Sequence, residues 1–283
     1  MPELPEVETV RAWLAPALKG ATMKAVTFTR DDLRYPIPVA RVRGAVGSHV
    51  VAVRRRAKYL LLDLQPVAGA GVETALLVHL GMSGRCWLDH QREPPPWRKH
   101  EHWRMEFERD GEPCWLRYQD PRRFGALDVV DDPEGHRLLA RLGPEPLSDL
   151  WDGAALYQGT RRRKQAIKAL LMDARQVVGV GNIYASEACW RAGVHPLRSA
   201  TRVGRASCDR LVTGVKDVLE EAIAAGGSTL RDFVGGDQNP GYFQQRLDVY
   251  GREGQPCNRC GTEVVKCTLL QRSTFYCPSC QRR

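Results

Sequence analysis

Apolar residues recur along this chain with two different periods, and the switches between them divide it. Val7, Val10 and Leu14 stand at helical spacing, which predicts a helix over residues 2–15. Pro2 and Pro5 fit its first turn, where amides lack a helical partner, and Pro16 is expected to end or kink it. From residue 20 to about 130 the period shortens. VVAV (50–53), YLLLDL (59–64), ALLVHL (75–80), CWLRY (114–118) and ALDVV (126–130) are short apolar runs parted by glycine, proline and charged turns, the pattern of strands. Strands at this density suggest a sandwich or barrel. QREPPPWRKH (91–100) reads as a proline-rich loop and GPEPLSDL (143–150) as a linker. The helical period then returns in AIKALLMD (166–173), IYASEACWRAG (183–193) and ASCDRLVTGVKDVLEEAIAAG (206–226). The last carries a stripe of Leu211, Val215, Val218, Leu219 and Ile223, with Gly226 at its stop. FVGGDQNPGYF (233–243) is a glycine-rich loop, and the tail beyond it is cysteine-rich and strand-like.

Composition narrows the class. The chain has 283 residues, 43% hydrophobic and 27% charged, which argues against disorder as the main state. No apolar run approaches the ~18–20 residues that cross a bilayer. The opening MPELPEVETV holds three glutamates and no apolar core, so a secretory signal is not expected, and a reducing, cytoplasmic setting is. Lys+Arg is 42 against Asp+Glu 33, a net charge of +9. Charge alone leaves a nucleic-acid partner and an ordinary basic protein evenly matched. Its placement adds something. Arg54, Arg55, Arg56 and Lys58 run directly into the apolar strand YLLLDL, which puts Lys58 at a strand edge, and Arg161, Arg162, Arg163 and Lys164, with Lys168 beyond, precede a helix.

The tail carries the most specific chemistry. Cys257-x2-Cys260 and Cys277-x2-Cys280 are separated by 16 residues, a spacing that suits one structural Zn²⁺ held by four thiolates. A closed four-sulfur site leaves no position for water, so this zinc is structural. Cys267 lies outside both pairs and reads as a packing residue. Residues 241–283 hold seven Lys+Arg against three Asp+Glu. Arg272 falls where a hairpin would project it, although on its own it reads as a solvated arginine at a turn.

Two further features bear on chemistry. In VVGVGNIYASE (177–187), Gly179 and Gly181 allow close backbone approach and Asn182 is placed to cap the next helix, so a helix–turn–helix with a phosphate-binding turn is expected. At the other end, a small residue after Met1 permits removal of that methionine, which would expose the Pro2 secondary amine. An α-amino group has a pKa of ~7.7–8.0, so part of it is uncharged near neutrality. Its attack on a sugar C1′ gives an iminium that acidifies C2′. Glu3 and Glu6 lie three apart beside that amine, where one could move protons and the other orient the terminus. On their own, two acids in a first turn read as partners of the helix dipole.

Taken together, the motifs resemble the bacterial formamidopyrimidine-DNA glycosylases, also called 8-oxoguanine DNA glycosylases, along essentially the whole chain. MPELPEVET, RRAKYLLL (55–62), HLGMSG (79–84), DPRRFGA (120–126), LGPEPL (142–147), VVGVGNIYASE (177–187), PGYF (240–243) and QR-x-TFYC (271–277) stand in family order. The resemblance implies a mixed α+β fold. It comprises an N-terminal β-sandwich with flanking helices (1–142), a helix-two-turn-helix domain (143–236), and a lesion loop with a C-terminal four-cysteine zinc finger (237–283). It implies a monomer that binds duplex DNA carrying oxidised bases in a cleft between two lobes, flips out an oxidised purine, cuts its glycosidic bond and nicks the strand by β- and δ-elimination.

By the same resemblance, Pro2 is the Schiff-base nucleophile, Glu3 the acid/base and Glu6 a supporting acid. Lys58 contacts phosphate and assists β-elimination; Arg272 grips the lesion's phosphate and is linked to δ-elimination. His100, Arg122, Lys164 and Asn182 match DNA contacts, joined by Lys168 and Tyr242. Met82, Arg122 and Phe124 match the side chains that fill the space of the flipped base. Rival readings are an endonuclease VIII-type enzyme for oxidised pyrimidines and a non-catalytic zinc-dependent damage binder. MPELPE and the Met82, Arg122 and Phe124 set favour the purine enzyme over the first; Pro2, Glu3 and Lys58 together argue against the second. Tryptophan and arginine in HEHWRM match no assigned pattern.

Overall fold

The structure is a computed structural model that describes residues 2–66, 74–161, 163–227 and 247–282. These form two compact units, residues 2–140 with 226–227, and residues 141–225 with 247–282. None of the described helices is long and apolar enough to cross a membrane.

The first unit opens with α1 (Leu4–Leu18), whose Leu4, Val7, Val10, Leu14 and Leu18 are buried. The helix does not end at Pro16, as the sequence suggested, but runs on to Leu18. A proline in the last turn removes one amide, while Leu18 continues the stripe of Leu14 into the core. The sheet strands are β1 (Thr22–Phe28), β2 (His49–Arg56), β3 (Tyr59–Gln65), β4 (Thr74–His79), β5 (Arg85–Asp89), β6 (Glu101–Arg109), β7 (Glu112–Gln119) and β8 (Ala126–Val130), with a short α2 (Val39–Gly44) after β1. Their order is β5-β7-β6-β1-β2-β3-β4-β8, antiparallel throughout.

The β1–β2 seam is a single pair, Thr22 with His49. The sheet therefore folds there into two four-stranded halves, whose inner residues meet in one core: Val53, Leu60, Leu62, Leu76 and Val78 from one half, and Met23, Trp103, Met105, Phe107 and Leu116 from the other. This is the expected sandwich.

The proline-rich loop lies on the outer face of β5–β7–β6. Arg104 stacks between Trp97 (4.2 Å) and Trp115 (5.4 Å), and buried Arg117 pairs with Glu101 and with Asp89 (2.6 Å). Trp103 faces inward, stacked on Tyr118 at 4.9 Å. The unassigned Trp and Arg of HEHWRM thus serve opposite faces of one strand.

In the second unit α3 (Gly153–Thr160) is capped by Asp152, whose carboxylate accepts from the Ala155 amide at 2.7 Å. Then come α4 (Ile167–Leu171), α5 (Asn182–Arg191) and α6 (Arg205–Ala224). Leu211, Val215, Val218 and Leu219 of α6 are buried as predicted, while Ile223 sits at the stripe's edge. Gly214 lets α6 approach α5, since a Cβ there would lie 3.2 Å from the Ala188 carbonyl oxygen. The tail forms the hairpin β9 (Val265–Leu269) and β10 (Arg272–Tyr276).

Candidate active site, nucleic-acid interface and zinc centre

Pro2, Glu3 and Glu6 cluster at the start of α1, all buried. Glu3 is the residue before the first helical turn, and its amide donates to Glu6 Oε2 at 2.8 Å, one half of a capping box. Gly227 lies directly over Glu6: a Cβ at that position would come within 3.3 Å of Glu6 Oε1, and its φ of +84° suits glycine.

Lys58 lies in the two-residue turn Ala57–Lys58 that joins β2 to β3, with Ala57 at φ 54°. Arg55 ties this turn to α1: its Nε donates to Glu8 Oε2 at 2.9 Å and its Nη1 to the Ala57 carbonyl at 3.0 Å. The helix that presents Pro2 and Glu3 is therefore anchored to the turn that presents Lys58.

His79, which the sequence reading passed over as the end of an apolar strand, belongs to this neighbourhood. Burial, and then the Lys58 and Arg34 cations, hold its imidazole down at about 4. Nδ1 accepts from the Gly81 amide at 3.1 Å. Because charging is harder in the folded state, stability is full above the ordinary histidine pKa and falls as pH drops from 6.5 towards 4. Between pH 7 and pH 5 the wild type should lose about 1–2 kcal/mol more stability than His79→Gln does, as read by unfolding titrations. Equal pH dependence in both would contradict the neutral assignment.

The residues matched to stack filling sit on two loops in contact. Met82 is half-buried in the turn after β4; Arg122 and Phe124 are exposed on the loop between β7 and β8, with the Arg122 guanidinium 5.1 Å from the Phe124 ring centre. Gly81 permits this approach, since a Cβ there would fall 2.5 Å from the Gly125 amide nitrogen and the Phe124 carbonyl carbon. His100 is exposed at φ 64°, its carbonyl accepting from the Asp120 amide at 2.9 Å.

In the second unit Lys164 is exposed, but Lys168 is not: it is buried, with Nζ donating to Asn182 Oδ1 and Thr274 Oγ1, each at 2.7 Å. Asn182 does not cap α5 as expected. Gly181 holds the cap position, and the Asn182 amide donates to the Ser273 carbonyl at 2.9 Å and the Tyr250 hydroxyl at 3.3 Å. The hairpin competes for the side chain that the turn was expected to use. Glu187, further along α5, accepts from the amides of Asp248, Val249 and Tyr250 at 2.8–3.0 Å. Arg272 opens β10 just after a two-residue turn, Leu270–Gln271, with both residues at positive φ. Tyr242 and the whole glycine-rich loop (233–243) lie outside the described residues.

The Sγ atoms of Cys257, Cys260, Cys277 and Cys280 lie within 4.8 Å of one another. A Zn–S distance of about 2.3 Å sets tetrahedral edges of about 3.8 Å, which a cluster of this size accommodates. The Trp190 indole N–H points at Cys257 Sγ (3.4 Å) and the Cys280 amide at Cys277 Sγ (3.4 Å), as donors around thiolates do. Hydrogen bonds from Thr262 lower the Cys260 thiol to about 6. Cys267 stands apart on β9, partly buried.

This combination defines a DNA-glycosylase architecture. Residues 1–127 match the formamidopyrimidine-DNA glycosylase N-terminal domain, 142–234 the H2TH domain of the same enzymes, and 254–283 the zinc finger found in FPG and IleRS. The chain belongs to the formamidopyrimidine-DNA glycosylase family and carries one structural Zn²⁺. It is 51% identical to the formamidopyrimidine-DNA glycosylase of Pseudomonas putida and 52% to that of Halorhodospira halophila, covering all of each. Among solved structures it is similar to the MutM (FPG) protein from Thermus thermophilus, with a TM-score of 0.84 and 40% identity over 99% of this chain and 98% of that one. It also resembles the Lactococcus lactis FPG mutant G226P bound to Fapy-dG DNA, with a TM-score of 0.87 and 30% identity over the whole of both chains.

Proposed function

We propose that this chain excises oxidised purines, 8-oxoguanine and formamidopyrimidines, from duplex DNA through an imine at the Pro2 amine, and then nicks the strand. The observation that carries the reading is the buried set of Pro2, Glu3 and Glu6 at the head of α1, anchored through Glu8 and Arg55 to the turn of Lys58. Relatives of the same fold are seen with DNA containing Fapy-dG, carbocyclic 8-oxo-G and an abasic site.

With Met1 removed, the Pro2 nitrogen attacks C1′ and the glycosidic bond breaks, the base leaving with a proton that Glu3 supplies or relays. The C1′–O4′ bond of the sugar ring then opens, O4′ keeping the bond's electron pair and taking a proton, and the resulting iminium draws electrons from C2′. Loss of a C2′ proton then expels the 3′ phosphate, with Lys58 assisting, and a second elimination expels the 5′ phosphate, gripped by Arg272. Water releases the sugar fragment from Pro2. Met82, Arg122 and Phe124 hold the stack open, and His100, Lys164, Asn182 and Tyr242 contact the backbone. Lys168 is too deeply buried for such contact, so we assign it to positioning Asn182 and the hairpin. The enzyme acts on DNA in a bacterial cytoplasm as a monomer, with an N-terminal domain (1–142), a helix-two-turn-helix domain (143–236), and a lesion loop with zinc finger (237–283).

The test is end analysis of a labelled duplex with one 8-oxoguanine opposite cytosine. Phosphate at both ends of a one-nucleoside gap is the expected product. A strand that loses the base but stays intact would overturn the lyase reading.

A further inference from the structure

Asp120 is a fully buried carboxylate at the start of the loop that carries Arg122 and Phe124. Its Oδ1 accepts from Ser83 Oγ at 2.7 Å and the Arg122 amide at 3.3 Å; its Oδ2 accepts from the Gly125 amide at 2.8 Å and the Tyr118 hydroxyl at 3.2 Å. Its own amide donates to the His100 carbonyl at 2.9 Å, and its carbonyl oxygen lies 2.8 Å from His102 Nε2. Among the described residues no arginine or lysine pairs with it. A charge so placed is expensive to bury unless its acceptors are filled, and here both oxygens are filled by neutral donors from separate segments: the turn of Met82, the end of β7, and both sides of Phe124.

We infer that Asp120 is the positioning residue that locks the Met82 turn, the Arg122–Phe124 loop and the His100 corner into one wedge for opening the base stack. Each of the three pieces reaches Asp120 directly or through a neighbour: Met82 through Ser83, Arg122 and Phe124 through the amides of Arg122 and Gly125, and His100 through its carbonyl. The chemical steps at Pro2 do not use it. The inference rests on the proposed stack-filling role of Met82, Arg122 and Phe124.

Asp120→Asn is the sharpest probe. The replacement is isosteric, yet its NH₂ must face a backbone N–H in either orientation, that of Gly125 or that of Arg122. The assay uses two substrates, a duplex with 8-oxoguanine opposite cytosine and 2-aminopurine beside the lesion, and a single-stranded oligonucleotide with one abasic site, which has no stack to open. The variant is expected to lose the 2-aminopurine fluorescence rise and to excise from the duplex roughly 5- to 100-fold more slowly, the range set by an unsatisfied buried group. Single-strand nicking should change by less than about threefold. Ser83→Ala removes one donor, leaves the carboxylate, and should move in the same direction by a smaller amount; it carries the test should the first variant fold poorly.

Wild-type fluorescence and excision in the variants would overturn the assignment, and so would equal loss on both substrates, which marks general destabilisation. A wild-type protein inactive on both substrates would overturn the glycosylase reading itself, an outcome distinct from either.

Discussion

Glu3→Gln is expected to slow 8-oxoguanine excision by about 10²–10⁴-fold, the usual scale for losing a general acid/base. Nicking at a preformed abasic site should fall far less. The reason lies in what each substrate asks of the residue. Departure of the base requires a proton, whereas an abasic sugar already offers an aldehyde to the Pro2 amine. Glu3 is buried at the head of α1, and glutamine keeps its size and its ability to accept a helix amide, so the fold should persist. Single-turnover rates on the two substrates check this. Equal loss on both would mean that Glu3 serves the terminus's position rather than proton transfer.

The second large effect is expected at the zinc finger. Structural Zn²⁺ in finger-like modules contributes about 10–16 kcal/mol of folding free energy, comparable to the whole stability of a domain. Cys277 is fully buried in a small core with Val249, Val264, Phe275 and Trp190. This core supports the hairpin that presents Arg272 and supplies the Ser273 carbonyl and Thr274 hydroxyl to Asn182 and Lys168. Cys277→Ser should therefore lower zinc to well below one ion per chain and weaken lesion-duplex affinity by about 100-fold or more. Metal analysis with equilibrium binding reads both. Full zinc content with unchanged affinity would argue against the four-thiol site.

How much of this could be read beforehand depended on local signals. Strands β3 and β4 are buried on both sides of the ladder centre and stand out as apolar runs. β6 was missed because Glu101, Arg104, Glu106, Glu108 and Arg109 crowd a strand whose inner face is Trp103, Met105 and Phe107; alternation survives there, but charge masks it. β1 buries only Met23 fully, so its alternation is weak, and β5 offers only the three-residue apolar run Cys86, Trp87 and Leu88 between charged ends. The zinc cysteines were legible because metal geometry constrains sequence spacing directly. Asn182 was misread as a cap because the competing partners, Tyr250 and Ser273, come from 68 and 91 residues away. Lys168 carried a charge that suggested a surface role, and only the fold shows it turned inward. Asp120 and His79 gave no signal of their own, since their significance comes from loops that meet only in three dimensions.

The central claim is the imine at Pro2, and borohydride trapping tests it most directly. The protein, with Met1 confirmed absent, is incubated with duplex DNA carrying one 8-oxoguanine opposite cytosine, reduced in place, and digested for mass mapping. The account predicts a covalent adduct on the peptide beginning at Pro2, and little adduct on a matched oxidised-pyrimidine duplex. An adduct mapped to any lysine, or no adduct while excision proceeds, would contradict it.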